Sequence, residues 1–144
     1  MIKDIPDNAG TPDDSALSKL TQRTVVAIDP ENGTSHVTFC IPDTFLNMQG
    51  VLHGGAYAMM LDTACGVAVR SKLDMTVYGG SSTLELKTSF LKGGAPGNYT
   101  AKGKVSRVGK SIAFVDASLY NEAGELVGRA SGTFKLRLRK TPKA

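Results

Sequence analysis

Two residue sets in this chain could do chemistry: Asp62, a carboxylate inside an otherwise apolar stretch, and His53-Gly54-Gly55, which opens that stretch. A carboxylate among apolar residues is costly unless it is paired, hydrogen-bonded or faces a cleft. In a cleft it can serve as a general base or a nucleophile. A Gly-Gly helix entry offers backbone N–H groups without intrahelical partners, at the positive end of the helix dipole. Glycine also lets a ligand approach the backbone closely. That is the chemistry of an oxyanion hole, although the same pair would equally make a tight turn. Hole and carboxylate together suit attack on a carbonyl carbon. Gly54 and Asp62 are eight residues apart, roughly 12 Å along a helix axis. A base must lie within about 3–4 Å of the carbonyl it serves. One site using both groups therefore needs two antiparallel copies of the helix, which predicts a symmetric dimer with two composite sites.

The element that must position them is a helix from Gly54 to Val69, ending near Arg70–Lys72, where cations suit its C-terminus. It contains no proline and is rich in Ala, Met and Leu, good helix formers. Its apolar residues cover nearly the whole circumference, which predicts burial on most sides. It is too short and too interrupted by Asp62, Thr63 and Gly66 to span a membrane.

The rest of the chain supplies a sheet to wrap it. Residues 1–14 read as a loose polar arm, followed by a short helix with Asp14 as its cap. Thr24–Asp29 and Thr34–Ile41 read as a hairpin closed by Asn32-Gly33. His36 falls on the outward face of its second strand. Thr76 to Leu91 is a long extended stretch in which Gly79-Gly80 signals a bulge or a flexible wall. Strands at Asn98–Val108, Ser111–Asn121 and Leu126–Leu138 follow, giving four strands in a meander. The fold class is α+β, one long helix against a curved antiparallel sheet. The expected organisation is an arm at 1–22, one domain at 23–139 and a basic tail at 140–144.

The pattern Asn47-x-x-Gly50-x-x-His53-Gly54-Gly55 followed by Asp62 resembles the hot dog-fold acyl-CoA thioesterases of the phenylacetate-degradation (PaaI-like) type. The resemblance runs from about Thr24 to Leu138, with a second match around Ser82-Thr83 to Leu91. It implies that Gly54 donates its N–H to the thioester oxygen and that Asp62 of the other subunit is the general base or nucleophile. It implies further that Asn47 positions the thioester or water, Thr83 holds the attacking water, and His53 orients the loop. Gly55 would line the substrate. The turn Arg107-Val-Gly109-Lys110-Ser111 would contact coenzyme A, in preference to the cations Lys92 and Arg70. The resemblance implies homodimers with a continuous sheet, often paired into tetramers. The acyl group would be aromatic, aryl-acetyl or medium-chain, in a pocket lined by Met48, Tyr57, Met59 and Met60. A hot dog hydratase or dehydratase, or a non-catalytic acyl-CoA sensor, are the competing classes. The intact Asn47, Gly54 and Asp62 speak against the sensor.

Composition agrees with a globular domain: 41% hydrophobic and 21% charged residues over 144 positions. The net charge of +4 is concentrated near the end, and suits either a solvated last strand or an anionic ligand. Trp is absent and aromatics are only 6%, which argues against a nucleic-acid stacking platform. Two distant histidines and no Cys-x-x-Cys predict no metal site, and no cofactor beyond the coenzyme A of the substrate. No Gly-x-Ser-x-Gly elbow supports serine-hydrolase chemistry. Cys40 and Cys65 read as core thiols, and the expected location is cytoplasmic, with neither membrane nor nucleic acid as partner.

Overall fold

The computed structural model describes residues 15–140. A short helix α1 (Ala16–Thr21) precedes the hairpin β1 (Thr24–Asp29) and β2 (Thr34–Ile41). A 3-10 turn at Asp43–Phe45 leads to α2 (Gly54–Ser71), and four strands follow: β3 (Tyr78–Phe90), β4 (Gly97–Val108), β5 (Ile112–Asn121) and β6 (Leu126–Leu138). All strands form one antiparallel sheet in the order β1-β2-β4-β5-β6-β3. This is the hot dog arrangement, with α2 as the filling and the curved sheet as the wrap.

Alternation explains the wrap. In β2 and β5 every second residue is buried: Val37, Phe39 and Ile41 in one, Val115, Ala117 and Leu119 in the other. These face Met60, Leu61, Ala64, Cys65 and Ala68, all at zero exposure on α2. The helix packs close against Gly103 on β4. A Cβ there would meet the Ala64 carbonyl, and Ser35 Oγ at 2.8 Å. Ser35 Oγ ties the three elements, donating to Ala64 O at 2.7 Å and accepting from Gly103 N at 3.1 Å.

The sheet corrects three expectations. The four later strands are not a simple meander: only β4, β5 and β6 are sequential neighbours, and β3 crosses to pair with β6 at the far edge. The reason is α2 itself, which carries the chain past the hairpin and sets β3 down at the opposite side. β3 also begins at Tyr78, because Asp74 Oδ1 accepts from Thr76 N and Thr76 Oγ1 and turns the chain there. The cap of α1 is Ser15, which accepts from Ser18 N at 3.2 Å. Asp14, expected as that cap, lies outside the described residues, as does most of the arm.

The helix is not wrapped all round. Ala58, Met59, Asp62 and Val67 on α2 remain half-buried. No helix of the described residues is long and apolar enough to cross a membrane.

Candidate active site

The loop before α2 folds on itself. Asn47 N donates to Val51 O, Gly50 N to Asn47 O, and His53 N to Phe45 O. Asn47 Oδ1 accepts from Gln49 N at 2.9 Å and Val51 N at 3.3 Å, so the side chain expected to orient a thioester spends its oxygen on the loop. Gly50 adopts φ +75°, which explains glycine there. His53 is the N-cap of α2. Its Nδ1 accepts from Gly55 N at 2.8 Å, in the place where Ser or Asp usually acts. The Gly55 N–H is thereby taken and does not point at a ligand. The Gly54 N–H has no acceptor among the described residues. It stands at the helix start beside a recess of about 300 Å³ lined by Leu52, Tyr57, Phe90 and Leu91. A free donor at the positive end of an 18-residue helix, next to an apolar recess, can stabilise an oxyanion.

A second set of bonds fixes that recess, and the sequence did not announce it. Tyr57 Oη donates to Lys92 O at 3.0 Å, Tyr99 Oη to Ala95 O at 2.7 Å, and Leu52 N to Gly94 O at 2.8 Å. Gly94 is packed against both tyrosyl hydroxyls, leaving no room for a side chain. Burial raises the Tyr57 and Tyr99 hydroxyls above the ordinary tyrosine range, so both act as neutral donors.

Two turns further along α2, Asp62 lines a separate cavity of about 360 Å³. Thr83 Oγ1, on β3, donates to Asp62 Oδ1 at 2.7 Å. A β-bulge between Thr83 and Glu85 aims that side chain at the helix. The cavity has Val67 and Phe134 on its apolar side, and Arg23, Arg70 and Arg137 among its other walls. Of the expected pocket-lining methionines, Met60 is core at zero exposure, Met59 is half-buried, and Met48 projects fully exposed from the loop. The carboxylate thus has one oxygen held, beside a hydroxyl that still has lone pairs to offer.

The expected coenzyme A turn lies between β4 and β5. Gly109 N donates to Ile112 O at 2.8 Å, and the turn is anchored by Tyr78 Oη to Lys110 O at 3.0 Å and Leu136 N to Ser111 O. Arg107, Lys110 and Ser111 are exposed. The chain therefore brings together Asp62 and Thr83 at one place and Asn47, His53, Gly54 and Gly55 at another. The Arg107–Ser111 turn sits against the start of β3. Among the described residues no group of three or more His, Cys, Asp and Glu could hold a metal ion.

With that geometry in view, residues 49–128 match the thioesterase superfamily. A Saccharolobus solfataricus protein with the provisional name esterase SSO1253 is 36% identical over 104 residues, covering 72% of this chain and 67% of that protein. The medium/long-chain acyl-CoA thioesterase YigI of Escherichia coli is 30% identical over 97 residues, covering 60% of this chain and 63% of its own. The chain thus spans about two thirds of the length of these two relatives. A solved structure from Ralstonia eutropha, provisionally described as a thioesterase and as a phenylacetic acid degradation-related protein, superposes with a TM-score of 0.77 at 26% identity. That superposition covers 92% of both chains.

Proposed function

Because the chain belongs to the thioesterase superfamily, we propose that it is an acyl-CoA thioesterase of the PaaI-like type, cleaving aromatic, aryl-acetyl or medium-chain acyl-CoA to the free acid and coenzyme A. The names of the Escherichia coli and Ralstonia eutropha relatives support this range of acyl groups. The observation that carries the reading is the Thr83–Asp62 hydrogen bond inside a cavity.

The reaction runs between two copies of the chain. Gly54 of one copy donates its N–H to the thioester oxygen, and Asp62 of the other receives a proton from water. The water oxygen bonds to the carbonyl carbon, the C–S bond breaks, and the departing thiolate takes up the proton that Asp62 accepted, which restores the carboxylate. Water donating to both the free oxygen of Asp62 and the lone pair of Thr83 Oγ1 would be aimed for this attack, which favours general-base over nucleophilic catalysis. No cofactor enters the balance.

A homodimer is part of the proposal, paired further into a tetramer. The edge strand β3 offers thirteen residues of strand to a second copy, with Leu84 at 61% exposure. The half-buried face of α2 that carries Asp62 turns toward that same side. The Arg107–Ser111 turn is the proposed contact for coenzyme A, and the proposed location is cytoplasmic.

The test is a thiol-release assay over acetyl-, hexanoyl-, octanoyl-, benzoyl- and phenylacetyl-CoA, wild type beside Asp62→Asn. Turnover that Asp62→Asn lowers at least about a hundredfold is the expected result. Saturable binding without turnover of any thioester would sink the enzyme reading in favour of a sensor.

A further inference from the structure

The cavity that holds Asp62 contains more positive charge than a hydrolase of plain acyl chains needs. Among the described residues Arg23, from the link between α1 and β1, Arg70, in the last turn of α2, and Arg137, on β6, all line it beside one carboxylate, Asp62. Three separate elements converge there. A purely apolar acyl group would gain nothing from them, and desolvating guanidinium groups beside it would cost free energy.

The backbone is shaped to admit one of these groups. Gly80 pairs with Arg137 across β3 and β6 and adopts φ +137°, a conformation that favours glycine. A Cβ at Gly80 would meet Arg137 Nη2 at 3.1 Å. The bulge between Tyr78 and Gly80 belongs to the same arrangement. Gly80, one of the pair read from the sequence as a flexible wall, lies against this guanidinium. Arg23 and Arg70 make further interactions of their own, but a guanidinium carries five N–H donors and can hold more than one partner.

We propose that Arg70 and Arg137, with Arg23, form an anion subsite for the thioester, taking a carboxylate at the far end of the acyl group or a phosphate of its carrier. The inference rests on the thioesterase reading and refines its substrate class. The order of the groups favours the acyl end. Arg70 lies eight residues beyond Asp62 on the same helix, roughly 12 Å along the axis. Gly66 and Val67 lie between them, and Phe134 faces Gly66. An acyl chain with its carbonyl at Asp62 would cross that apolar step and bring its terminus to the guanidinium groups. A planar, bidentate donor matches a carboxylate there.

The experiment compares substrates of equal length that differ only at the terminus: adipyl-CoA with hexanoyl-CoA, and suberyl-CoA with octanoyl-CoA. Each acyl group is also presented on pantetheine, which lacks the nucleotide phosphates. Wild type, Arg70→Gln, Arg137→Gln and the double variant are measured. The expected wild-type preference in kcat/KM for the carboxylate-ended member is at least about tenfold, on both carriers, and it collapses in the double variant. A preference for coenzyme A over pantetheine that the double variant abolishes, with no effect of the acyl terminus, assigns the subsite to the carrier phosphate. Ratios that neither substitution changes overturn the subsite. If wild type turns over none of these thioesters, the thioesterase reading fails separately. Calorimetric titration with adipyl-CoA against hexanoyl-CoA then decides the subsite: equal affinities overturn it, and tighter adipyl binding that the double variant weakens supports it.

Discussion

Thr83 on the edge strand and Asp62 on the central helix are joined by a 2.7 Å hydrogen bond, the hydroxyl donating to Oδ1. The bond spans 21 positions of sequence and fixes the carboxylate toward the cavity. Thr83 is exposed, so its hydroxyl contributes little to folding. Thr83→Ala is expected to lower kcat roughly tenfold, the scale of a hydrogen bond to a charged group. The melting temperature should hardly move. Thr83→Ser keeps the donor and should recover most of the rate, so equal losses in Ala and Ser would remove the hydroxyl from the mechanism.

Gly103 tests the packing of helix on sheet. Its missing side chain lets α2 approach β4, and a Cβ would meet the Ala64 carbonyl and Ser35 Oγ. Neither neighbour can retreat: one is helix backbone, and the other bonds both elements. Gly103→Ala is expected to cost about 1–3 kcal/mol. Urea unfolding should show a lower midpoint with the same slope. An unchanged midpoint would mean that the helix sits further from the sheet.

How much of this was legible before the structure depended on the distance over which the signal acts. The helix at Gly54–Ser71 was visible because composition and the Gly-Gly entry act locally. Strand alternation gave β2 and β5 for the same reason. Strand order was not legible, because a continuing run of strands carries no mark of which edge the chain joins after a helix. His53 as cap could not be read either, since imidazole is an uncommon cap and only the ring orientation reveals it. Thr83 entered through family resemblance alone. Its contact with Asp62 depends on a bulge that places one residue toward the helix. Arg23 escaped notice, and Arg137 was legible only as part of the basic end of the chain, because nothing in a linear pattern brings three elements to one cavity.

Cys65 predicts the alkaline limb of stability. Burial first, and then the negative charges of Asp62 and Asp116, push its thiol from 9.0 up to about 12. In the unfolded chain the thiol loses its proton near its ordinary value, while the folded chain still holds it. The unfolded state therefore binds fewer protons from about pH 9 upward, and stability falls as pH rises toward 12. Tyr57 and Tyr99, also raised by burial, add in the same direction. Urea unfolding of wild type should lose stability between pH 8 and pH 10.5. Cys65→Ala should lose less over that interval, whatever its cost at pH 8. Parallel losses in the two proteins would show that the thiol titrates normally.

The composite site can be tested by complementation. Gly54 is the first residue of α2, a position where proline is well tolerated because its φ suits the helix and the N–H has no intrahelical partner. Gly54→Pro therefore removes the proposed oxyanion donor and leaves the helix start compatible. The added ring atoms would press on Phe90, whose side chain is 55% exposed and can give way. Alone, Gly54→Pro should lower kcat by about a hundredfold or more, as should Asp62→Asn. In a heterodimer of the two variants, one site receives the intact Gly54 from one copy and the intact Asp62 from the other. Its companion site receives both defects. Refolding the two inactive proteins together in equal amounts makes half of the dimers mixed, each with one working site of two. Activity should return to about a quarter of wild type, as a symmetric dimer with shared sites requires. If each site were built within one chain, every site in the mixture would carry a defect, and no activity would return.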